Sequence, residues 1–471
     1  MVGLWADVFE EMYSVPPIDP EFDTAGWRSR TSSRPFNNEE MAEWLDGALE
    51  RIRRLPRRRI LEIGCGTGML LWRLVGECDF YLGVDISESA VQRARTMAEL
   101  KGASHVVVRC GEAVDASQFC GEVDLVLINS VSQYFPDEDY LERVLDGALS
   151  VLAPSGSIFV GDVRNADLLD GLLLGSVDQR GSVLAKRQSI RQALTQEREL
   201  LLSPLWFAHY ANERGLGLQA MPKTGRTANE LANFRFDAIL SRTGPADEIT
   251  FRPWEGPAAA RSALYSNHRV GFRSVPNPGV SDLANSAYHL LYGRCDRTDP
   301  SVYHGIRPAA LAGEFQISLL GGADDGAYDL VVGPGAAQVR MPITLGVRRR
   351  LATVPGRSAS NRHIEGKVAP AVGQRPAAVV PVTRLDGPLP RPTGLDALPA
   401  FAPPQTGAQR RLAAIWRRVL GIDSIGAHDS FTDLGGTPAF ALEVVSKARA
   451  DGLVVSVGCL LAGHTLSELV A

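Results

Sequence analysis

The chain has 471 residues, of which 45% are hydrophobic and 22% charged, with a formal net charge of -5. This length allows two or three domains that each bury a core, and the weakly acidic balance argues against a nucleic-acid partner or an anionic membrane. The six cysteines form no CxxC pair and no cluster with histidine, so we expect no metal site and a reducing, cytoplasmic compartment. The acidic first residues and the lack of an apolar run of about 20 residues predict neither export nor membrane insertion.

Short β-branched segments alternate with helical stretches between residues 59 and 162. They read RILEIG, FYLGVD, HVVVRC, VDLVLIN and SIFVGD. This alternation predicts an α/β fold with a doubly wound, mainly parallel sheet. Two later segments, 315–320 and 327–333, predict an antiparallel hairpin that closes the same sheet. The segment between, about 163–307, is too long for a simple connection, so we expect an inserted cap with its own helices.

The C-terminal part of the chain divides into a linker and a helical unit. Residues 351–404 are rich in Pro, Ala, Gly and Arg, which predicts a linker. Residues 405–471 regain helical periodicity, with apolar side chains at Leu412, Ile415, Trp416 and Val419. A small helical bundle is expected there.

A glycine-rich loop follows the first predicted strand. Gly64, Gly66 and Gly68 allow the backbone to turn tightly and to approach a ligand closely. A dinucleotide loop would have its third glycine where Met69 stands, so the spacing disfavours a nicotinamide-dependent oxidoreductase. Asp85 ends the second strand, the position from which a carboxylate binds ribose hydroxyls. These residues together predict a nucleoside-containing ligand.

The pattern E-x-G-x-G-x-G with Asp85 resembles motif I of class I S-adenosylmethionine-dependent methyltransferases. Further segments are similar to successive motifs of the methyltransferase domains embedded in nonribosomal peptide synthetases: AGWRSRTSSRPFNNEEMAEW, INSVSQYFPDEDYL, GDVRN, PKTGRTANELANFRFDAIL and VPNPGV. The resemblance covers most of residues 1–335 and implies a class I methyltransferase domain over residues 1–350. It implies S-adenosylmethionine as cofactor and, as acceptor, mostly the α-amino group of an aminoacyl thioester on a carrier.

The resemblance and the strand ends together give candidate site residues. The expected cofactor-binding residues are Glu62, Gly64, Cys65, Gly66, Gly68, Asp85, Ile86, Glu112, Ala113 and Asn129. The expected catalytic residues, which orient the acceptor, are Asn129, Gln133, Tyr134 and Asp162. The expected substrate-pocket residues are Arg164, Lys223, Arg226, Asn229 and Glu230.

Structural roles compete with these assignments. Asn129 is also suited to cap a helix, Tyr134 to pack in a core, Asp162 to pair with Arg164, and the cap residues to form surface salt bridges. Where the family commonly has a Tyr-Thr-Gly step, this chain has a Thr-Ser-Ser step at 31–33. This departure leaves O-, S- or C-methylation of a tethered or free small molecule as an alternative to N-methylation.

Residues 412–450 are similar to a peptidyl carrier domain. Gly435 and Gly436 precede the position of the serine that holds phosphopantetheine in that family, but Pro438 occupies it and Thr437 lies one residue out of register. Proline is tolerated in the first turn of a helix, so we expect the domain to fold but to carry no phosphopantetheine. The linker segment 378–401 resembles an eroded adenylation-domain tail, with Leu395 where a catalytic lysine is expected.

The leading interpretation is a methyltransferase of nonribosomal peptide biosynthesis. It would N-methylate an aminoacyl thioester on a carrier domain or synthetase module supplied in trans, with its own carrier-like domain used for recognition or docking. A second interpretation is a non-catalytic assembly-line scaffold. Binding of S-adenosylmethionine separates the two.

Overall fold

The computed structural model describes most of the chain. The described residues are 2–13, 17, 19–32, 34–119, 121–177, 180, 182–195, 197–244, 247–265, 268–292, 305–311, 313–321, 325–344, 352–353, 402–420, 425–432, 434, 436 and 438–470. The predicted adenylation-like tail at 378–401 lies outside these residues, as does almost all of the predicted linker.

Strands and helices are numbered in chain order. The strands are β1 Arg59–Ile63, β2 Phe80–Asp85, β3 Val106–Cys110, β4 Val123–Asn129, β5 Leu152–Arg164, β6 Leu201–Leu202, β7 Gly217–Pro222, β8 Arg235–Ser241, β9 Phe251–Pro253, β10 Val270–Val275, β11 Phe315–Ser318, β12 Tyr328–Val332 and β13 Ala352–Thr353. The helices are α1 Val2–Met12, α2 Asn38–Ile52, α3 Leu71–Leu74, α4 Glu88–Leu100, α5 Glu138–Val151, α6 Leu169–Ser176, α7 Val183–Thr195, α8 Pro204–Glu213, α9 Glu230–Asn233, α10 Pro257–Tyr265, α11 Ser281–Tyr292, α12 Gly407–Leu420, α13 Pro438–Ala450, α14 Val457–Leu461 and α15 Leu466–Leu469.

A seven-stranded sheet with the order β3-β2-β1-β4-β5-β8-β7 forms the centre of the larger domain. The first five of these strands are parallel, whereas β8 runs antiparallel to both β5 and β7. Adjacent residues of β1 point to opposite faces, since Ile60 packs with α2, α3 and α4 while Leu61 packs with α5 and α8. The predicted doubly wound α/β fold is therefore confirmed. The strand order reverses between β1 and β4, which places a crevice at their carboxyl ends.

One part of the predicted topology is wrong. The hairpin expected at 315–320 and 327–333 forms as β11 and β12, but it belongs to a separate four-stranded sheet of order β11-β12-β10-β9. The central sheet is closed instead by β7 and β8, which lie inside the segment expected to be a helical cap. Both β8 and β12 contain an unbroken run of buried residues, so hydrophobic pattern alone did not distinguish the sheet to which each belongs.

The C-terminal domain has its own core. The described part holds the helices α12 to α15, packed around Trp416, Phe431 and Phe440. Helix α13 begins at Pro438, in agreement with the expected tolerance of proline at a helix start. Helix α1 packs against α13 and α14, although the two ends of the chain are far apart in sequence. Within the described residues, no helix is long and apolar enough to cross a membrane.

A buried ionic cluster joins α2 to the antiparallel edge of the central sheet. Asp237 on β8 is fully buried; its carboxylate lies 2.5 Å from the Arg51 guanidinium and 2.8 Å from the Lys223 ammonium. It also accepts the N–H of Asp162 at 2.8 Å. Burial raises the pKa of the Asp237 carboxyl, but the charges of Lys223 and Arg51 outweigh burial and hold the pKa below its ordinary value.

We expect Asp237→Ala to lower the free energy of unfolding by about 3–5 kcal/mol at neutral pH, because two buried cations lose their partner. The folded-state pKa is depressed, so this contribution is present above the ordinary pKa of 3.8 and is lost as the pH falls through the lower folded-state value. Urea denaturation at several pH values measures both effects. Glu50→Ala, which removes an exposed partner of Arg54, is the control, and equal effects of the two substitutions would contradict the account.

Candidate active site

The glycine-rich loop turns sharply after β1. Gly64, Gly66 and Gly68 have φ values of 76°, 51° and 95°, a region that side chains rarely adopt. A Cβ at Gly64 would lie 2.3 Å from the Val131 side chain, and one at Gly66 would lie 3.1 Å from the Tyr13 hydroxyl. The loop therefore requires glycine both for its backbone conformation and for its close contacts.

Asp85 fixes this loop from the end of the neighbouring strand. Its carboxylate accepts the N–H of Gly66 at 2.7 Å through one oxygen and the N–H of Ser87 at 3.0 Å through the other. Burial raises the pKa of Asp85, while these amide hydrogen bonds oppose the rise. Each oxygen retains a lone pair for a further donor, so the same carboxylate can brace the loop and accept ligand hydroxyls.

A cavity of about 480 Å³ lies over the carboxyl ends of β1, β2 and β4. The predicted cofactor residues that line it are Glu62, Gly64, Cys65, Gly66, Asp85, Ile86, Ala113 and Asn129. Gly68 and Glu112 do not line it. Gly68 closes the turn by donating its N–H to the Cys65 carbonyl, and the exposed Glu112 accepts from the Tyr140 hydroxyl at 3.4 Å.

These residues fit S-adenosylmethionine. The positive φ of the glycines lets a ligand approach the backbone, and the cavity wall holds two buried carboxyl groups, Glu62 and Asp85. The Asp85 carboxyl can accept hydrogen bonds from the ribose hydroxyls of that cofactor, and Glu62 in its ionised form would complement the sulfonium cation. Burial raises the pKa of Glu62 to about 8, against the hydrogen bond donated by Tyr81 at 2.6 Å and with a further rise from Asp85.

Asn129 and Gln133 line the cavity next to the cofactor loop, and each has a buried side-chain oxygen. Among the described residues, the Asn129 Oδ1 and the Gln133 Oε1 atoms have no hydrogen-bond partner. The Gln133 amide is oriented, because its Nε2 donates to the Ser130 carbonyl at 3.0 Å. A buried acceptor left unpaired costs about 1–3 kcal/mol, so both oxygens favour a ligand that donates hydrogen bonds.

The other two predicted catalytic residues differ in their placement. Tyr134 lines the cavity, and burial raises its pKa to about 12, so the phenol stays protonated near neutral pH. Asp162 is fully buried behind the cavity wall, where it accepts from Ser130 Oγ and from the Arg235 guanidinium at 2.5 Å. Ser130 and Asp162 have φ values of 59° and 60°, and such conformations persist in non-glycine residues only where surrounding contacts hold them. This placement suits Asp162 to a positioning role.

The predicted substrate-pocket residues do not form one group. Arg164 and Glu230 line the main cavity. Lys223 and Asn229 line a separate small cavity, because Lys223 pairs with Asp237 and Asn229 caps α9. The backbone N–H of Arg226 donates to Glu43, and this residue lines neither cavity. The expected pocket role of these three residues is therefore not supported by their positions.

Acidic residues that were not predicted hold Arg164 and the N-terminal leader at the cavity wall. Glu197 accepts hydrogen bonds from Arg164 and Arg30, both at 3.0 Å, and Glu199 accepts from Arg164 at 2.7 Å. The positive charges of Arg164 and Arg30 hold the pKa of the Glu197 carboxyl below its ordinary value despite burial. Glu230 accepts the backbone N–H groups of residues 30 and 31, which ties the N-terminal leader to the cavity wall. The available sequence signal was the charged triplet at 197–199 before an apolar run.

The cavity also has walls from both ends of the chain. Trp5, Phe9 and Tyr13 of the N-terminal segment line it, at the i, i+4 spacing of one helix face. From the C-terminal domain, Gly436 and Phe440 line it together with Thr432 and Leu461. The i, i+4 spacing of these aromatic residues was visible in the sequence, but the surface of the C-terminal domain that they face was not.

Two family models match the chain. Residues 56–200 match the model described as "Methyltransferase domain", and residues 410–471 match the model described as "Phosphopantetheine attachment site".

The chain is similar along nearly its whole length to parts of large synthetases. It is 30% identical to chondramide synthase cmdD of Chondromyces crocatus, over 99% of this chain and 14% of the relative. It is 28% identical to the probable non-canonical nonribosomal peptide synthetase CymA of Salinispora arenicola, over 99% of this chain and 6% of the relative. It is 25% identical to the nonribosomal peptide synthetase dtxS1 of Metarhizium robertsii, over 100% of this chain and 7% of the relative. The chain thus spans a small fraction of the length of these relatives.

We expect Asp85→Ala to weaken binding of S-adenosylmethionine by roughly 10- to 100-fold, because it removes a charged hydrogen-bond acceptor and releases the Gly66 amide. Isothermal titration calorimetry measures the dissociation constant. Asp79→Ala is the matched control, since the Asp79 side chain is exposed and forms a surface ion pair with Arg58. An unchanged affinity in Asp85→Ala would place the ligand elsewhere.

A pH-dependent prediction follows from Glu62. Between its ordinary pKa of 4.5 and the folded-state value of about 8, the folded chain keeps a proton that the unfolded chain has lost. Stability therefore falls as the pH rises through this window. Glu62→Gln removes this dependence. Relative to the wild type, its free energy of unfolding should therefore rise by on the order of 1 kcal/mol or more when the pH is raised from 5 to 8. A constant difference in urea denaturation across these pH values would contradict the raised pKa.

Proposed function

We propose that this chain, which contains an S-adenosylmethionine-dependent methyltransferase domain followed by a carrier-type domain, N-methylates the α-amino group of an aminoacyl thioester held on a carrier supplied in trans. The relatives' names place such domains in nonribosomal peptide synthetases, so the proposed context is natural-product biosynthesis. The observation that carries the proposal is that Asn129 and Gln133, which line the cavity, each have a buried side-chain oxygen without a hydrogen-bond partner.

An amine suits this pair of oxygens. A primary amine in its neutral form has two N–H donors and a nucleophilic lone pair, so Asn129 and Gln133 can accept its hydrogens and direct the lone pair away from themselves. Amide oxygens orient an amine but do not remove its proton. Because a free α-amino group has a pKa of about 7.7–8.0, part of the acceptor is already neutral at cellular pH and needs no strong base.

A hydroxyl acceptor fits the cavity less well, because it needs a general base. No histidine is among the described residues that line the cavity. The carboxylates at its acceptor end are committed to other groups, Glu199 to Arg164 and Glu230 to the leader amides. This arrangement favours N-methylation over O-methylation.

The chain's contribution to the reaction is alignment. S-adenosylmethionine, when bound, supplies an electrophilic methyl group on a sulfonium. The glycine loop and Asp85 would hold the cofactor, and Asn129 and Gln133 would hold the acceptor nitrogen opposite it. Fixing both reactants inside a cavity replaces a bimolecular encounter, and well-aligned pairs of this kind account for roughly 7–11 kcal/mol of barrier lowering. The ion pairs with Glu197 and Glu199 hold the Arg164 side chain at the cavity wall.

The carrier has to come from another module or protein. Phosphopantetheine is attached through a serine hydroxyl, and the C-terminal domain has Pro438 at that position. Proline has no hydroxyl, so this domain does not hold the substrate by that linkage. We therefore propose that it serves in recognition or docking.

The direct test is intact-protein mass spectrometry of separately produced carrier domains, each loaded with one amino acid and incubated with this protein and S-adenosylmethionine. We expect a gain of one methyl group on at least one loaded carrier. We expect Gln133→Leu to lower kcat/KM roughly tenfold with unchanged cofactor affinity, because it removes one hydrogen bond to the acceptor. Gln118→Leu changes an exposed glutamine and is the matched control.

Three results would count against the proposal. Methyl transfer to a free amino acid but to no loaded carrier would contradict the tethered acceptor. Cofactor binding without transfer to either class would favour a different acceptor. A failure to bind S-adenosylmethionine would favour a scaffold.

A further inference from the structure

Helix α1 connects the methyltransferase domain to the C-terminal domain through two adjacent carboxylates. Glu10 accepts the Ser87 hydroxyl at 2.8 Å and the Ser89 N–H at 3.0 Å, both at the start of α4. Glu11 accepts the N–H of Val457 at 2.9 Å, at the start of α14. Each carboxylate thus binds the N-terminal end of a helix, where negative charge is favoured, and the two helices belong to different domains.

Apolar contacts and a cation–π contact extend this connection. Trp5 and Val8 are buried within the core of the C-terminal domain. The ring of Tyr134 lies 4.5 Å from that of Trp5 and 5.0 Å from that of Phe9. A further contact joins Arg198 to the C-terminal domain, since its guanidinium lies 5.1 Å from the centre of the Phe440 ring. We call the surface formed by α1, Tyr134 and Arg198 the docking face.

The C-terminal domain sits on the docking face in a particular orientation. Helix α13 begins at Pro438, the position at which a carrier would hold phosphopantetheine. Gly436 and Phe440, two residues to either side, line the same cavity as Gly66 and Asn129. A phosphopantetheinylated carrier seated in this way would have its attachment point at the cavity mouth, from which the arm reaches the acceptor site.

We infer that the docking face is the seat of the loaded carrier and that the chain's own C-terminal domain competes for it, closing the cavity until a loaded carrier displaces the domain. This inference rests on the proposed function. The occupant in turnover is a phosphopantetheinylated carrier domain bearing an amino acid, because it has the fold of the domain already seated there and the arm that this domain lacks.

Competition of this kind has a defined energetic consequence. The domain and the docking face belong to one chain, so their association does not depend on protein concentration. The apparent affinity for an incoming carrier is reduced in proportion to the fraction of molecules in which the face is free. Weakening the internal contact should therefore lower KM for the loaded carrier without changing kcat.

The test changes the C-terminal domain and leaves the docking face intact. Val457→Pro removes the N–H that Glu11 accepts, and proline is compatible with this first helical residue because Ser456 before it is extended, with φ -103° and ψ 148°. Val457→Ala is the matched control, since it shortens the side chain but keeps the N–H. Phe440→Leu weakens the contact with Arg198 and provides a second, independent variant.

We expect Val457→Pro to lower KM for the loaded carrier roughly tenfold relative to Val457→Ala, the effect of one charge-assisted hydrogen bond, with equal kcat. Phe440→Leu should lower KM in the same direction. Hydrogen–deuterium exchange of the full chain should become faster in α1 and at the start of α14 in Val457→Pro, while α12 keeps its protection and shows that the domain remains folded.

The outcomes separate this inference from the proposed function. Equal KM values in Val457→Pro and Val457→Ala would overturn the competition, and a higher KM in Val457→Pro would show that the domain recruits carriers instead. If no loaded carrier is methylated, the proposed function fails. Exchange then still decides the inference. Excess alanyl-loaded carrier must accelerate exchange at the start of α14, where the displaced domain loses its contact with Glu11, while α1 stays covered by the carrier, and no acceleration in α14 overturns the inference.

Discussion

The carboxylate of Asp85 is the contact on which the site depends. It joins the end of β2 to the Gly66 amide and thereby holds the loop after β1 in its left-handed turns. Because β1 and β2 are parallel neighbours in register, the end of one strand lies beside the loop that follows the other. On its other side β1 pairs in parallel with β4, so Asn129 at the end of β4 lies at the same edge of the sheet.

The cavity is assembled from parts of the chain that are distant in sequence. The parallel strands provide its floor, the leader tied to Glu230 provides one wall, and α1 with the C-terminal domain provides the cover. The cover is held mainly by Trp5, Val8 and a hydrogen bond between Glu11 and Val457. In the inferred competition, the same cover limits access of a loaded carrier to the cavity.

The sequence predicted the local features of the fold well, and most of the residues proposed to bind the cofactor line the cavity. The spacing of Gly64, Gly66 and Gly68 before Asp85 is a short-range pattern, and short-range patterns specify a strand, a tight turn and the acid that braces it. The assignment of Asn129 and Gln133 to the acceptor site rested on the position at the end of β4, and the structure brings both to the cavity. The helical C-terminal domain followed from periodicity and from the residues around Pro438.

The remaining features depended on long-range contacts. A buried apolar run such as that of β8 fits any central strand, so the sequence did not specify which hairpin closes the sheet. Lys223 lies outside the main cavity because it pairs with Asp237, a residue of β8 that is 14 residues further along the chain. Glu199 reaches the cavity, and Glu197 reaches Arg164, only because their segment folds back beside the end of β5. Contacts of this type have no signature within a sequence window.

The proposed function requires that the chain transfer a methyl group to nitrogen. The most direct measurement uses S-adenosylmethionine labelled with ¹³C in the methyl group and a carrier loaded with a ¹⁵N-labelled amino acid, followed by NMR of the product released from the carrier. A transferred methyl carbon with one-bond coupling to ¹⁵N is the predicted result. A labelled methyl group without that coupling would show transfer to oxygen, sulfur or carbon, and would contradict the account.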